Sequence, residues 1–171
     1  PVEQAEFLTD AESSLMTHDR WTPKGVHRVP IHFGHGVRGN LYFKDGAPTP
    51  MPVVVWLHPL SYHSGYNEGY GVQGTTVYQR LAENGFAVIA YDQCGFGLRL
   101  LEGRDFYKNH PRWSKLGRMG MDARAAVSFA VEGRGAAKSA IPEFDTKRVF
   151  LLGYSSGALT AMYAGALDDR V

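Results

Sequence analysis

The sequence predicts an α/β fold with a mostly parallel sheet and crossover helices. Strand-like and helix-like patterns alternate along the chain, which is typical of parallel sheets with helices between the strands. The continuous apolar run at residues 53–57 indicates a strand covered on both faces. The composition, 44% hydrophobic and 20% charged over 171 residues, is that of one ordinary globular domain.

The elements follow in chain order. Residues 1–25 are interpreted as an N-terminal arm and residues 26–171 as one domain. The turn Gly34-His35-Gly36 separates an opening pair of strands that is expected to be antiparallel, and the prolines of residues 45–52 predict a loop. Strands are predicted at residues 26–33, 39–44, 53–57, 86–91 and 147–152. Helices are predicted from Thr75 or Thr76 to Asn84, from Ser114 to Glu132 and over residues 156–167, with Gly85 and Gly133 as stops.

The bulk properties exclude several classes of function. Lys and Arg (18) nearly balance Asp and Glu (17) and are scattered, so a nucleic-acid partner is not expected. The longest apolar runs are far shorter than the roughly 20 residues that a membrane span requires. The single Cys94 excludes an intrachain disulfide and indicates no compartment.

The strongest motif is the pentapeptide Gly-Tyr-Ser-Ser-Gly at residues 153–157. It lies between a predicted buried strand and a predicted helix, the context that makes G-x-S-x-G specific for a nucleophilic serine. A turn this sharp demands very small residues on both sides of the serine, and Gly153 and Gly157 meet that demand. The pattern therefore predicts Ser155 as a nucleophile at the carboxyl edge of the sheet. The alternative is an ordinary strand-to-helix turn with an idle serine.

Three further segments occur in the order found in one family. They are His58-Pro59-Leu60 after the first buried strand, Tyr91-Asp92-Gln93-Cys94-Gly95-Phe96-Gly97, and residues 121–126 on a predicted helix. With the serine motif, they resemble the N-terminal portion of an α/β-hydrolase, in the branch of dienelactone-hydrolase-like and acetyl-xylan-esterase-like enzymes. The resemblance covers about residues 26–171 and implies an α/β-hydrolase fold that lacks its C-terminal strands.

The resemblance also implies roles for particular residues. One oxyanion donor would be the backbone N–H of Ser156, which follows the nucleophile. Leu60 would supply the other, because Pro59, which stands where the family has glycine, has no N–H. His58 would orient this loop rather than act as the base, and Asp92 would pin the glycine turn that follows it.

The catalytic acid and histidine are expected outside this sequence, because in the resembled family both follow the nucleophile strand. Only sixteen residues follow Ser155. We therefore expect a complementary C-terminal polypeptide, or a second chain, to supply them. A sheet that ended at the nucleophile helix would also expose a long apolar edge.

Several residues are candidates for the pocket around Ser155: His58, Tyr62, His63 and Tyr66. With Trp56, Tyr70 and Tyr78 they suggest either a wall for a sugar or aryl ester or ordinary loop packing. The histidines are too loosely spaced to predict a metal site, no cofactor is expected, and Cys94 is interpreted as a packed residue.

The leading hypothesis is a carboxylic ester hydrolase that acts on small-molecule or carbohydrate-linked esters through an acyl-enzyme on Ser155. A peptidase of the same fold is the alternative within the same class. A catalytically inactive binding module that kept the fold is the alternative from a different class.

Overall fold

The computed structural model describes residues 23–67, 74–132 and 141–171 and contains a five-stranded sheet. Its order is β1-β2-β4-β3-β5. The strands are β1 (Val26–Phe33), β2 (Val37–Lys44), β3 (Met51–Leu57), β4 (Ala87–Tyr91) and β5 (Phe144–Gly153).

The sheet is mixed. The pairs β1 with β2 and β2 with β4 are antiparallel, whereas β3 pairs in parallel with both β4 and β5. The carboxyl ends of β3, β4 and β5 therefore meet at one edge, where binding groups collect in α/β proteins.

Five α-helices are described. They are α1 (Val77–Glu83), α2 (Leu100–Arg104), α3 (Phe106–Asn109), α4 (Lys115–Glu132) and α5 (Ser156–Ala166). Helix α1 begins after Thr76, whose N–H donates to Gln79 Oε1 over 3.0 Å. Helix α4 begins after Ser114, whose Oγ accepts the N–H of Gly117 over 2.8 Å, as expected of an N-cap.

The central strand β3 separates two apolar cores. Val53, Val55 and Leu57 are fully buried on the face covered by α4 and α5. Val54 and Trp56 lie on the opposite face, in the core that includes Tyr78 and Ala82 of α1. A strand enclosed on both faces agrees with its uninterrupted apolar sequence.

The structure confirms the predicted α/β fold and moves several element boundaries. Strand β5 begins at Phe144, and strand β3 begins at Met51, which pairs with Phe144. A register shift between Pro52 and Val53 accommodates the proline, which has no N–H to give to the ladder. Helices α2 and α3 were not predicted, because they are too short to carry a periodic signal.

Some predictions fall outside the described residues, namely most of the N-terminal arm, the helix stop at Gly133 and the aromatic residue Tyr70. Within the described ranges, no helix is long and apolar enough to cross a membrane.

Candidate active site

Ser155 occupies a strained turn between β5 and α5. Its backbone angles are φ 55° and ψ −119°, and it is the only residue other than glycine with positive φ in the described ranges. Residues other than glycine rarely adopt this backbone conformation, which costs of order 1–3 kcal/mol. The residue is exposed at the carboxyl end of β5. The strain thus falls on the residue that the sequence singles out as the nucleophile.

The two flanking glycines permit this turn. A Cβ on Gly153 would collide with the backbone of Gly157 and Ala158, and a Cβ on Gly157 would collide with the carbonyl groups of Leu57 and His58. The N–H of Tyr154 also donates to the Leu57 carbonyl over 3.3 Å. The turn is therefore packed directly against the end of β3, with no space for side chains at either position.

An open cavity of about 810 Å³ lies beside Ser155. Its lining is mainly apolar and aromatic and includes no Asp, Glu, Lys or Arg of the described residues. The lining residues are Trp56, His58, Pro59, Leu60, Gly65, Tyr66, Thr76, Val77, Tyr78, Leu152, Gly153, Tyr154 and Ser155.

The structure brings some of the predicted pocket residues together and not others. His58, Leu60 and Tyr66 line the cavity with Ser155, whereas Tyr62 and His63 are not among its lining residues. Tyr62 is 59% exposed and packs its ring against Phe96 instead. Tyr66 and Tyr78 are both almost fully buried with rings in contact, so they combine packing with cavity lining.

Both ring nitrogens of the buried His58 are hydrogen-bonded. Nε2 accepts the backbone N–H of Gln93 over 3.0 Å, which leaves the proton on Nδ1 for the Pro59 carbonyl, 2.7 Å away. Burial lowers the pKa of His58 to about 4, against the opposing effect of the bond to Pro59. A neutral imidazole without a vacant nitrogen cannot take a proton from Ser155.

The bond from His58 also fixes the peptide group between Pro59 and Leu60. In a trans peptide the C=O and the N–H point in opposite directions. Because the Pro59 carbonyl points at the His58 ring, the N–H of Leu60 points away from it. In the described part of the chain this N–H has no hydrogen-bond acceptor, and neither does that of Ser156.

The side chain of Gln93 joins this loop to α5. Its Nε2 donates to the His58 carbonyl over 2.8 Å, and its Oε1 accepts the hydroxyl of Thr160 over 2.8 Å. Gln93 and Thr160 are both buried. Sequence reasoning missed them both, although a threonine in an otherwise apolar, small-residue helix was an available signal.

Asp92 connects the loops that follow β3 and β4. Its carboxylate accepts the N–H of Tyr66 over 2.9 Å and that of Leu98 over 2.8 Å. A Cβ on Gly65 or on Gly97 would collide with this carboxylate. Burial raises the pKa of Asp92, and the two backbone donors oppose the shift. With its oxygens bonded to two loops, Asp92 holds the loops in place.

Cys94 lies beside a partly buried group of ion pairs. Arg99 bonds Glu102 and Asp122, and Arg118 lies 3.0 Å from Asp122. Burial first, and then Glu102, raise the pKa of the Cys94 thiol to about 11, which leaves it protonated at neutral pH. In the ranges that the structure covers, no group of three or more His, Cys, Asp or Glu residues could hold a metal ion.

The fold and this turn define an α/β-hydrolase of the serine hydrolase class. The family model described as serine aminopeptidase, S33, matches residues 52–170, and the chain belongs to that family. No curated protein sequence matches the chain significantly.

Solved structures agree on the fold. A Bacteroides fragilis protein proposed to be an acetyl xylan esterase superposes with a TM-score of 0.72 at 15% identity, over 100% of this chain and 47% of its own. Acetyl xylan esterase 1 from Thermoanaerobacterium sp. gives 0.63 at 16% identity, over 98% and 50%. A glucuronoyl esterase from Solibacter usitatus gives 0.57 at 18% identity, over 99% and 50%. The chain spans about half the length of these neighbours.

Proposed function

We propose that the protein hydrolyses carboxylic esters through an acyl-enzyme on Ser155. The observation that carries this proposal is the strained, exposed conformation of Ser155 between β5 and α5. A protein keeps such a conformation where the rest of the fold stabilises it, and it is typical of functional sites.

In the proposed reaction, Ser155 Oγ attacks the carbonyl carbon of the ester and gives its proton to a base. The C–O bond to the alcohol then breaks, and the alcohol leaves with that proton. Water attacks the acyl-serine in the same way, which releases the acid and restores the Ser155 hydroxyl. Each half passes through a tetrahedral oxyanion.

The backbone N–H groups of Leu60 and Ser156 are proposed to bind this oxyanion. Both lack acceptors within the described residues, and Leu60 shares the cavity lining with Ser155. Ser156 begins the 11-residue helix α5, whose N-terminal dipole also favours negative charge.

The base and the acid are proposed to lie on a complementary polypeptide, either a C-terminal segment or a second chain, that packs beside β5. Phe150 is 47% and Leu152 38% exposed, although their register partners on β3, Val54 and Trp56, are buried. Strand β5 also has one unpaired edge within the described sheet. Exposed apolar strand edges are normally paired or covered.

The substrate is proposed to be a neutral ester, of a small molecule or of a carbohydrate. The mainly apolar lining, without charged side chains in the described part, favours an uncharged group beside Ser155. The structural neighbours reported above bear the names of acetyl xylan and glucuronoyl esterases, which supports ester chemistry.

Aminopeptidase activity is the second candidate function, because the matching family model is described as a serine aminopeptidase. An aminopeptidase must bind the positively charged amino terminus of its substrate, for which a carboxylate is the natural partner. No carboxylate of the described residues lines the cavity, which favours the ester.

The test is stoichiometric labelling of the full-length natural protein with a fluorophosphonate, located by peptide mass spectrometry, together with rates on p-nitrophenyl esters and aminoacyl anilides. We expect one label, on Ser155, and faster ester than anilide turnover. Labelling with the opposite preference would favour the peptidase. Absence of label on Ser155 would favour the inactive binding module and refute the proposal.

A further inference from the structure

We propose that Gln93 and Thr160 are positioning residues that keep the backbone N–H of Leu60 oriented toward the oxyanion formed on Ser155. The inference rests on the proposed function, because it concerns a donor to the oxyanion formed on Ser155. It gives a role to two buried polar side chains that the proposed reaction does not otherwise use.

The chain of bonds begins on α5. The Thr160 hydroxyl has one proton and three acceptors within reach: Gln93 Oε1 at 2.8 Å, the Ser156 carbonyl at 3.3 Å and Met119 Sδ at 4.0 Å. The shortest of these, to Gln93, is the strongest by distance. The His58 carbonyl can only accept, so the Gln93 atom that faces it is the amide nitrogen, and the atom that faces Thr160 is the amide oxygen.

With Oε1 facing Thr160, the amide nitrogen of Gln93 faces the end of β3. It donates to the His58 carbonyl over 2.8 Å, while the backbone N–H of Gln93 bonds the ring of the same histidine over 3.0 Å. Gln93 therefore holds His58 at both its backbone and its ring, and the Thr160 hydroxyl holds the amide oxygen of Gln93 in place.

The last bond orients the peptide group itself. His58 Nδ1 donates to the Pro59 carbonyl over 2.7 Å, which sets the direction of the Leu60 N–H. The same helix that begins at Ser156 is thus connected, through Thr160, Gln93 and His58, to the loop after β3. The chain of hydrogen bonds thus runs from the helix that Ser156 begins to the peptide group that carries the Leu60 N–H.

This connection matters for rate more than for binding. An oxyanion hole stabilises the transition state only if its donors stand at the right distance, and removal of one donor costs on the order of 10²- to 10³-fold in kcat. Loosening the loop without removing the donor should cost less, roughly 10- to 100-fold. Substrate held by the apolar cavity should bind as before.

The experiment compares Thr160→Val, which keeps the shape and removes the hydroxyl, with Thr160→Ser, which keeps the hydroxyl, in the full-length natural protein. We expect Thr160→Val to lower kcat for a p-nitrophenyl ester roughly 10- to 100-fold with KM within about twofold, and Thr160→Ser to stay within about threefold of wild type. Gln93→Met should resemble Thr160→Val.

Two further measurements separate positioning from simple loss of stability. Val127→Ala, a buried change on α4, should destabilise the fold and leave kcat unchanged. The ¹⁵N signals of the His58 ring and the amide signal of Leu60 should shift in Thr160→Val and return in Thr160→Ser.

Wild-type kcat in Thr160→Val, or unmoved His58 and Leu60 signals, would overturn the inference. If wild-type protein is not labelled at Ser155, the proposed function fails. In that case the two sets of NMR signals alone decide whether Gln93 and Thr160 position the loop.

Discussion

The backbone N–H of Gln93 donates to Nε2 of His58 over 3.0 Å and thereby determines which nitrogen of the imidazole carries its proton. The folded protein keeps this ring neutral, with a pKa of about 4 instead of 6.5. His58 therefore links the geometry of the loop after β3 to the stability of the whole fold at acid pH.

The first prediction concerns that pH dependence. Between pH 6.5 and 4 the unfolded chain protonates His58 and the folded protein does not, so the free energy of unfolding falls as the pH falls. Relative to His58→Gln, wild type should lose about 2 kcal/mol more between pH 7 and pH 4.5, as measured by urea unfolding at each pH. Parallel curves for wild type and His58→Gln would contradict the assignment.

The second prediction concerns the strain at Ser155. Ser155→Ala and Ser155→Gly should both abolish ester turnover, but the glycine variant should be about 1 kcal/mol more stable than the alanine variant, because only glycine adopts φ 55° without strain. Ser128, within helix α4, provides the control pair, since there glycine should be about 1 kcal/mol less stable than alanine. Urea unfolding of the four variants measures both differences. The same sign at both positions would show that Ser155 is not strained.

The sequence patterns predicted the fold and the turn at Ser155 because both depend on the local order of residues. The apolar run of β3 and the glycines around Ser155 are dictated by steric demands that can be read along the chain. The connection from Thr160 through Gln93 to His58 spans 102 residues of sequence and exists only after β3, β4 and α5 have packed. Likewise, the bonds that occupy both nitrogens of His58 have no signature in the sequence.

The third prediction tests the close approach of the turn to β3. Gly157→Ala should destabilise the protein by about 2 kcal/mol or more and abolish phosphonate labelling, because the new Cβ would collide with the carbonyl groups of Leu57 and His58. Gly120→Ala, in α4, is the matched control, since its Cβ would meet no described atom within 4 Å apart from its chain neighbours and the surrounding backbone of its own helix. That variant should gain about 0.5–1 kcal/mol from helix propensity. Thermal unfolding measures both changes, and a Gly157→Ala protein with wild-type stability would mean that the turn lies further from β3.

The fourth prediction tests whether a complementary polypeptide covers β5. Phe150 is 47% exposed in the described chain, so Phe150→Ser should cost little if nothing further packs on it. If a further strand or helix buries the ring, the same substitution in the full-length natural protein should cost about 2 kcal/mol or more. Leu101→Ser on α2, at 65% exposure, is the control and should stay within about 0.5 kcal/mol of wild type. Urea unfolding at neutral pH measures the difference between the two variants. Equal costs for Phe150 and Leu101 would refute a covered β5, and with it the proposal that the base and acid arrive on a polypeptide packed at this edge.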